Sequence, residues 1–307
     1  MISRADFTPV TLENKHILET YFARYPQYHS ESSIITILSW EHYAQCSFAE
    51  YKNHLIIDCC VDGEHGIHTP IGEFDAELLE ELLIFVRDEN FALEIYEEES
   101  REYLQNTHPE IPITENREYF EYVYSTENLA MLKGRKYLNI RGQINTFTSR
   151  WKYRVEKITP ENIPEVLALA ETWGRTKDLK ADTIMREELT AVQYSFRHWE
   201  KLPLAGIAVR ITETRTLAGM AVWEIQNEKQ ALIHFEKGLS EYPGIYKIIN
   251  KETARELFGK VEWINRESDM GHAGLREAKL RYHPDFFVKA YYILPEDIPA
   301  TLTYNNS

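Results

Sequence analysis

The chain has 307 residues, 43% of them hydrophobic and 27% charged, and a net charge of −15 at pH 7. Its length predicts two domains, and its acidic balance argues against general nucleic-acid binding, which draws its affinity from phosphate contacts. No apolar run approaches the roughly 18–20 residues that span a bilayer. The start, MISRADFTPVTLENK, lacks an apolar signal core, and Cys46, Cys59 and Cys60 show no framework spacing, so a cytoplasmic, reducing location is expected.

An opening helix is predicted behind Thr11 as N-cap, with Ile17, Leu18, Tyr21 and Phe22 at helical spacing. Strand-like runs follow at 34–40, 44–51 and 55–61, with a shorter one around Ile67. The segment 74–87 places Leu78, Leu79, Leu82, Leu83 and Val86 on one helical face. A strand at 91–96, a short helix near 100–105 and a strand at 119–124 complete the first half. From 133 to 154 the chain carries Lys133, Arg135, Lys136, Arg141, Arg150, Lys152 and Arg154 and no acidic residue. This stretch reads as a helix, either a solvated face paired with acidic neighbours or a surface for an anionic ligand.

The second half repeats the order. Helices are predicted at 160–173 and 182–199, strands at 204–211, 218–225 and 230–235, then a glycine-bearing loop, a helix at 245–258, a strand at 261–264, a helix at 274–280 and a closing strand at 286–294. The halves match element by element, which predicts a duplicated α/β module: residues 1–130, a basic joining helix over 131–155, and residues 156–307.

Four motifs carry a family resemblance. They are L-K-G-R-K-Y-x-x-x-R-x-x-I-N-x-F (132–147), I-H-F-E-K (233–237), I-N-R-E-S-D-M-G-H-A-G-L-R-E-A-K (264–279) and Y-H-P (282–284). With them the chain resembles soluble proteins similar to the C-terminal domain of phosphatidylglycerol lysyltransferases, in the FemABX-like group. The resemblance implies an α/β (α+β) fold of two tandem GNAT-like acyltransferase modules, with mixed, mostly antiparallel sheets flanked by helices. It also implies transfer of an acyl or aminoacyl group from acyl-CoA or charged tRNA. The sequence departs from the usual GNAT loop signature: K-G-L-S-E-Y-P-G-I-Y offers only Gly238 and Gly244.

Acyl transfer needs a proton acceptor, a held carbonyl and stabilisation of the developing oxyanion. His234 and Glu236 alternate on one strand and so share a face. Glu236 is the candidate general base, or else pairs with Lys237 or an arginine of the basic helix. The N–H groups of Leu239, Ser240, Gly244, Ile245 and Tyr246 are candidate phosphate or oxyanion donors at a helix start. In the resembled fold the strand ending at Asn265 parts from its neighbour, which would put that carboxamide against the donor's arm. Arg276 and Lys279, three apart on a helix, could grip phosphate or pair with Glu267 and Asp269. Tyr282 would return the proton to the leaving group.

Other polar clusters read as structural. Asp62-Gly-Glu-His65-Gly-Ile-His68 is a turn and strand, with no metal expected. Cys59-Cys60 reads as inert burial and Glu97-Glu98-Glu99 as a solvated run. The sequence therefore predicts an acyl- or aminoacyltransferase acting by direct attack on an amine or hydroxyl acceptor, with no tightly bound cofactor, as a monomer or weak dimer. The alternative is a non-catalytic binder of CoA, a nucleotide or a phospholipid headgroup on the same scaffold.

Overall fold

The computed structural model describes residues 1–175 and 183–303. The predicted helix start at Asp182 lies outside the described residues. In chain order the first 120 residues form β1 (Thr8–Pro9), α1 (Lys15–Arg24), α2 (Ile34–Ser39), β2 (Ala44–Tyr51), β3 (His54–Val61), β4 (Glu64–His68), α3 (Ala76–Glu89), β5 (Ala92–Ile95), α4 (Glu98–Thr107) and β6 (Thr114–Glu115). There follow β7 (Glu121–Ser125), α5 (Thr126–Met131), α6 (Leu138–Arg150), β8 (Tyr153–Lys157), α7 (Ile163–Arg175), α8 (Thr183–Arg197), β9 (Leu204–Ile211), β10 (Leu217–Ile225) and β11 (Gln230–Gly238). The last elements are α9 (Ile245–Leu257), β12 (Trp263–Asn265), α10 (Ala273–Leu280), β13 (Phe286–Val288) and β14 (Tyr291–Ile293).

Two compact units result, one of Met1–Phe120 with Val288–Ser307, the other of Glu121–Phe287. Each holds a seven-stranded mixed sheet, in the orders β1-β2-β3-β4-β5-β14-β6 and β13-β7-β12-β11-β10-β9-β8. The chain is therefore cut at 120 and 287, and the basic segment lies inside the second unit. There α6 packs Ile140, Ile144 and Phe147 into the same core as Ile245, Ile248 and Ile249 of α9.

In the first unit α3 follows its amphipathic pattern. Asp75 caps it by accepting from Leu78 N–H, Asn90 closes it in the left-handed region, and its leucines cover the sheet. The segment 34–40, expected as a strand, is the helix α2. Ser33 accepts from the N–H groups of Ile35 and Thr36 as N-cap, and five of its six residues are buried. An apolar run buried on nearly every side has no period to betray the helix. The N-cap of α1 is Asn14, not Thr11; those two residues close a reciprocal turn ahead of the helix. The closing strand 286–294 is divided, with β13 in one sheet and β14 in the other. Cys46 and Cys59 face each other across β2 and β3 and form a disulfide, which replaces the expected reduced thiols, and Cys60 is the free cysteine. No helix among the described residues is long and apolar enough to cross a membrane.

Both units share a device that positions the site. Three antiparallel strands lead to a helix, and the strand after it pairs in parallel with the third. In the second unit that parallel pairing lasts three positions, from Gln230↔Trp263 to Leu232↔Asn265. Beyond it β11 runs on to Gly238 with β10 alone as ladder partner. The facing pair Gly219 and Gly238 lets α9 lie close over β10 and β11, because a Cβ at either would stand 2.4 Å or 2.7 Å from Ile249 or Ile245 side-chain atoms.

Candidate functional site

The gap where β11 and β12 part is lined by charged side chains. Glu236, on the unpaired stretch of β11, meets Arg266, the first residue past β12, in an ion pair with both side chains nearly buried (14% and 12% exposed). The Arg266 guanidinium lies 5.0 Å from the centre of the Tyr282 ring and 5.9 Å from that of Tyr124. The Asn250 carboxamide, with its oxygen turned inward, accepts from Arg266 Nε and Nη1 at 3.1 Å each. Burial opposes the charge of Arg266, but Glu236 outweighs it and keeps the guanidinium firmly protonated. Lys247, on the first turn of α9, stands 4.8 Å from the Tyr282 ring centre. Burial and the neighbouring Arg266 charge pull its ammonium pKa down. Sequence reasoning missed Arg266 and Lys247 as site residues; the signal available was an arginine directly after the end of the short strand.

The other predicted residues are distributed differently. His234 is the extra residue of a bulge: Phe235 pairs with Val222 and Ile233 with Trp223. Its ring is 3% exposed and sits between Glu224 (Nε2 to Oε1, 3.1 Å) and Glu267 (Nδ1 to Oε1, 3.2 Å). Burial works against its charge, yet the two carboxylates push its pKa up to about 9. His234 is thus a locked imidazolium. Tyr282 is 2% exposed, and burial holds its hydroxyl far above the ordinary phenol range. It serves as an aromatic floor under Arg266 and Lys247 and is poorly placed to give up a proton.

The N-R-E-S-D motif builds the wall of the gap. Asn265 is fully buried; its Nδ2 donates to Glu121 (2.6 Å) and its Oδ1 accepts from Glu267 N–H (2.9 Å). The carboxamide therefore ties β12 to β7 and turns the loop, and it is not turned toward a ligand. Arg276 grips both oxygens of Asp269 (2.9 and 2.8 Å), which also accepts from Tyr122 Oη (2.5 Å) and Gly271 N–H (3.0 Å). Burial alone would raise the Asp269 pKa; these donors take it down to about 2. Lys279 donates to the carbonyls of Arg266, Glu267 and Ser268 at 2.6, 3.0 and 2.6 Å. Burial and Arg266 pull its pKa to about 8. These two cations clamp the loop that aims Arg266.

The loop before α9 offers fewer donors than expected. Leu239 N–H donates to Ala218 O (2.8 Å) and Ile245 N–H to Tyr242 O (2.9 Å). Gly244, at φ +96°, rests against α6, where a Cβ would stand 3.2 Å from Gln143 O. Ser240 is exposed, and Tyr246 Oη accepts from Trp173 Nε1 at 2.9 Å. Lys237 pairs with Glu188 (2.5 Å) over the Trp173 ring.

In the basic segment Arg141 donates to Leu132 O and Gly134 O at 2.5 and 2.7 Å, closing the end of α5, so its charge has a structural task. Lys133, Arg135, Lys136 and Arg150 are exposed and pair with no carboxylate among the described residues. A recess of about 480 Å³ lined by Arg154, Arg210, Thr212 and Arg215 adds positive surface that the sequence alone does not reveal, because its residues come from β8, the end of β9 and the β9–β10 turn. Arg210 is held there by Glu156 and Glu165.

The family profile described as phosphatidylglycerol lysyltransferase, C-terminal, matches residues 22–294. No curated protein matches the chain in sequence. Among solved structures, a conserved protein of unknown function from Bacteroides thetaiotaomicron is 27% identical, with a TM-score of 0.86, over 94% of this chain and 98% of that one. L-PGS from Bacillus licheniformis is 14% identical, with a TM-score of 0.62, over 96% and 93%. FemX is 9% identical, with a TM-score of 0.55, over 94% and 98%; the last two likenesses show the shared fold. With tandem GNAT-like modules and a profile match over most of its length, the chain belongs to the phosphatidylglycerol lysyltransferase C-terminal family.

Proposed function

We propose that this chain is an aminoacyltransferase whose second unit carries the transfer site, while the first keeps the module's architecture without that site. The donor is an aminoacyl-tRNA and the acceptor a hydroxyl or amine. Given the family's name, phosphatidylglycerol is the first acceptor to try. The observation that carries the reading is the parting of β11 and β12 after Leu232, with Glu236, Arg266 and Lys247 converging on the opening.

In this reading the acceptor oxygen or nitrogen attacks the ester carbonyl of the donor. A new C–O or C–N bond forms, the ester bond to the ribose oxygen breaks, and the acceptor's proton passes by way of Glu236 to that oxygen. Arg266 fixes the orientation of Glu236. Lys247 and Arg266 supply positive charge where the oxyanion develops. The loop before α9 supports tRNA over CoA as donor: Leu239 and Ile245 N–H groups are engaged in the fold, and the loop carries the exposed Glu241, which is unfavourable beside a pyrophosphate.

The test is transfer of label from [14C]lysyl-tRNA to vesicles containing phosphatidylglycerol. The wild-type chain should label the lipid, and Glu236→Gln should lower turnover by about 10²-fold or more, with charged-tRNA affinity within twofold. Unchanged turnover removes Glu236 as base. A second reading, a non-catalytic binder, draws on the fact that Glu236 is already tied to Arg266. Stabilisation by CoA and not by charged tRNA in a thermal melt, with no label transfer, would favour it.

A further inference from the structure

The recess of Arg154, Arg210, Thr212 and Arg215 belongs to the other side of the second sheet from the gap. Ile207, Val209 and Ile211 of β9 pack into the core with α9, so Arg210, between them, points to the opposite face, where α7 supplies Glu165. Arg154 and Arg210 stand directly opposite each other across β8 and β9. Like charges so placed repel unless something offsets them.

The offset serves Arg210 first. Its Nε and Nη2 donate to the two oxygens of Glu156 (2.7 and 3.0 Å), its Nη1 and Nη2 to those of Glu165 (2.6 and 2.7 Å), and its Nη1 also to Arg215 O (2.7 Å). A guanidinium has five N–H groups, and all five are used. Arg210 is a fixed floor with nothing left to offer a ligand. Arg154 gives only Nε, to Glu156 (2.6 Å), and keeps both terminal nitrogens. Arg215 has no side-chain partner among the described residues, and neither does the Thr212 hydroxyl. Glu213, in the same turn, puts its carboxylate on Lys152 N–H (3.4 Å). Three arginines against two glutamates leave one positive charge over, at Arg215.

The backbone adds an independent sign. Ile211 N–H donates to Thr216 O (2.9 Å) and closes a four-residue turn in which Arg215 has φ +59°. Glycine takes that conformation without penalty, whereas a side chain with a Cβ is strained there. The contact that Arg215 makes to Arg210 uses its carbonyl, which glycine would also supply. The fold thus gains nothing from the arginine side chain, and strain kept without a structural return marks a binding position.

We propose that this recess binds a phosphate monoester or free phosphate, gripped by Arg154 and Arg215, with the Thr212 hydroxyl as a further donor. Its volume of about 480 Å³ suits a small molecule. The free donors come from three separate points of the chain, which fits the three terminal oxygens of a tetrahedral phosphate better than a planar carboxylate, and arginine forks match phosphate oxygens in pairs. No aromatic ring is among the lining residues for a base to stack on. The inference does not depend on the transfer reading of the gap.

Isothermal titration of the full chain with inorganic phosphate, glycerol 3-phosphate, dimethyl phosphate and acetate tests it. Glycerol 3-phosphate should bind at least tenfold tighter than dimethyl phosphate or acetate. Arg215→Gly should weaken it at least tenfold while leaving the urea midpoint unchanged or higher, a combination that a structural arginine would not give. Arg154→Gln should also weaken it at least tenfold, and it carries the test if the glycine variant fails to fold. Arg255→Gln, an exposed arginine of α9, should stay within twofold. Inorganic phosphate bound as tightly as the ester assigns the site to the free anion; an ester bound tenfold tighter assigns it to a phosphorylated small molecule. The proposal is overturned if neither phosphate binds, if dimethyl phosphate or acetate binds as well, or if Arg215→Gly and Arg154→Gln bind like the wild type.

Discussion

Arg266, the first residue beyond β12, is ion-paired with Glu236, which lies four residues beyond the last position at which β11 and β12 are joined. The pair stands in the gap that strand pairing leaves. A buried pair gains little over an apolar replacement, but removing one partner strands the other charge. Arg266→Met should therefore lower the unfolding free energy by about 3–5 kcal/mol, read as a shift of the urea midpoint. Arg266→Met combined with Glu236→Gln should regain most of that loss. A single variant as stable as the wild type would show that the pair carries no weight in the fold.

His234 makes stability depend on pH. Its pKa in the folded chain, about 9, lies above the ordinary 6.5. The charged ring's contribution is then fully present below pH 6.5 and is lost as pH rises through 9. Glu267, raised by burial despite His234 beside it, acts with the same sign, because its protonated form is also favoured by folding. At roughly 1.4 kcal/mol per pKa unit, the wild type should lose on the order of 2–3 kcal/mol between pH 6.5 and 9, and His234→Gln should flatten most of that slope. Urea midpoints at pH 6.5, 7.5 and 9 decide the matter: a flat wild-type profile would mean that the ring is neutral.

Periodicity made much of this fold legible. The leucines of α3 and the run 204–211, which is β9 residue for residue, announce themselves by spacing alone. Segment 34–40 hid its helix because an almost wholly buried run has no polar side. The N-R-E-S-D motif was legible as an unusual density of charge, but its task was not. Whether Asn265 and Asp269 face a ligand or the fold is decided by Glu121 and Tyr122, 144 and 147 residues away in the chain. The Glu97 carboxyl, which accepts from the Thr69 hydroxyl, was missed for a related reason: three consecutive acids look solvated until a sheet turns one of them inward.

The glycines at 219 and 238 set how closely α9 approaches the sheet. A Cβ at Gly219 would lie 2.4 Å from Ile249 Cδ1 and 3.0 Å from Ile245 Cγ1. Gly219→Ala should cost about 1–3 kcal/mol through overpacking. Ile249→Val on the same background should recover part of it, since Val lacks the Cδ1 atom that clashes. Urea melts of the three proteins test this, and a Gly219→Ala variant as stable as wild type would mean that α9 shifts freely.

The basic segment divides into cations with different tasks. Arg141 closes the end of α5 through two carbonyls, so Arg141→Ala should lower stability and alter tRNA binding little in the fraction that folds. Arg135, Lys136 and Arg150 reach solvent without a carboxylate partner among the described residues. They are the ones able to release counterions from RNA. On a chain of net charge −15, these few cations would dominate the electrostatics of docking. Reversing Arg135 and Lys136 to Glu together should weaken tRNA binding by tenfold or more. It should also make the plot of log affinity against log salt shallower, by close to one for each phosphate that is no longer neutralised. The melting temperature should hardly move. Filter binding of tRNA between 50 and 200 mM salt reads both quantities. An unchanged salt slope would show that RNA docks elsewhere, with the recess of Arg154 and Arg215 the next surface to reverse.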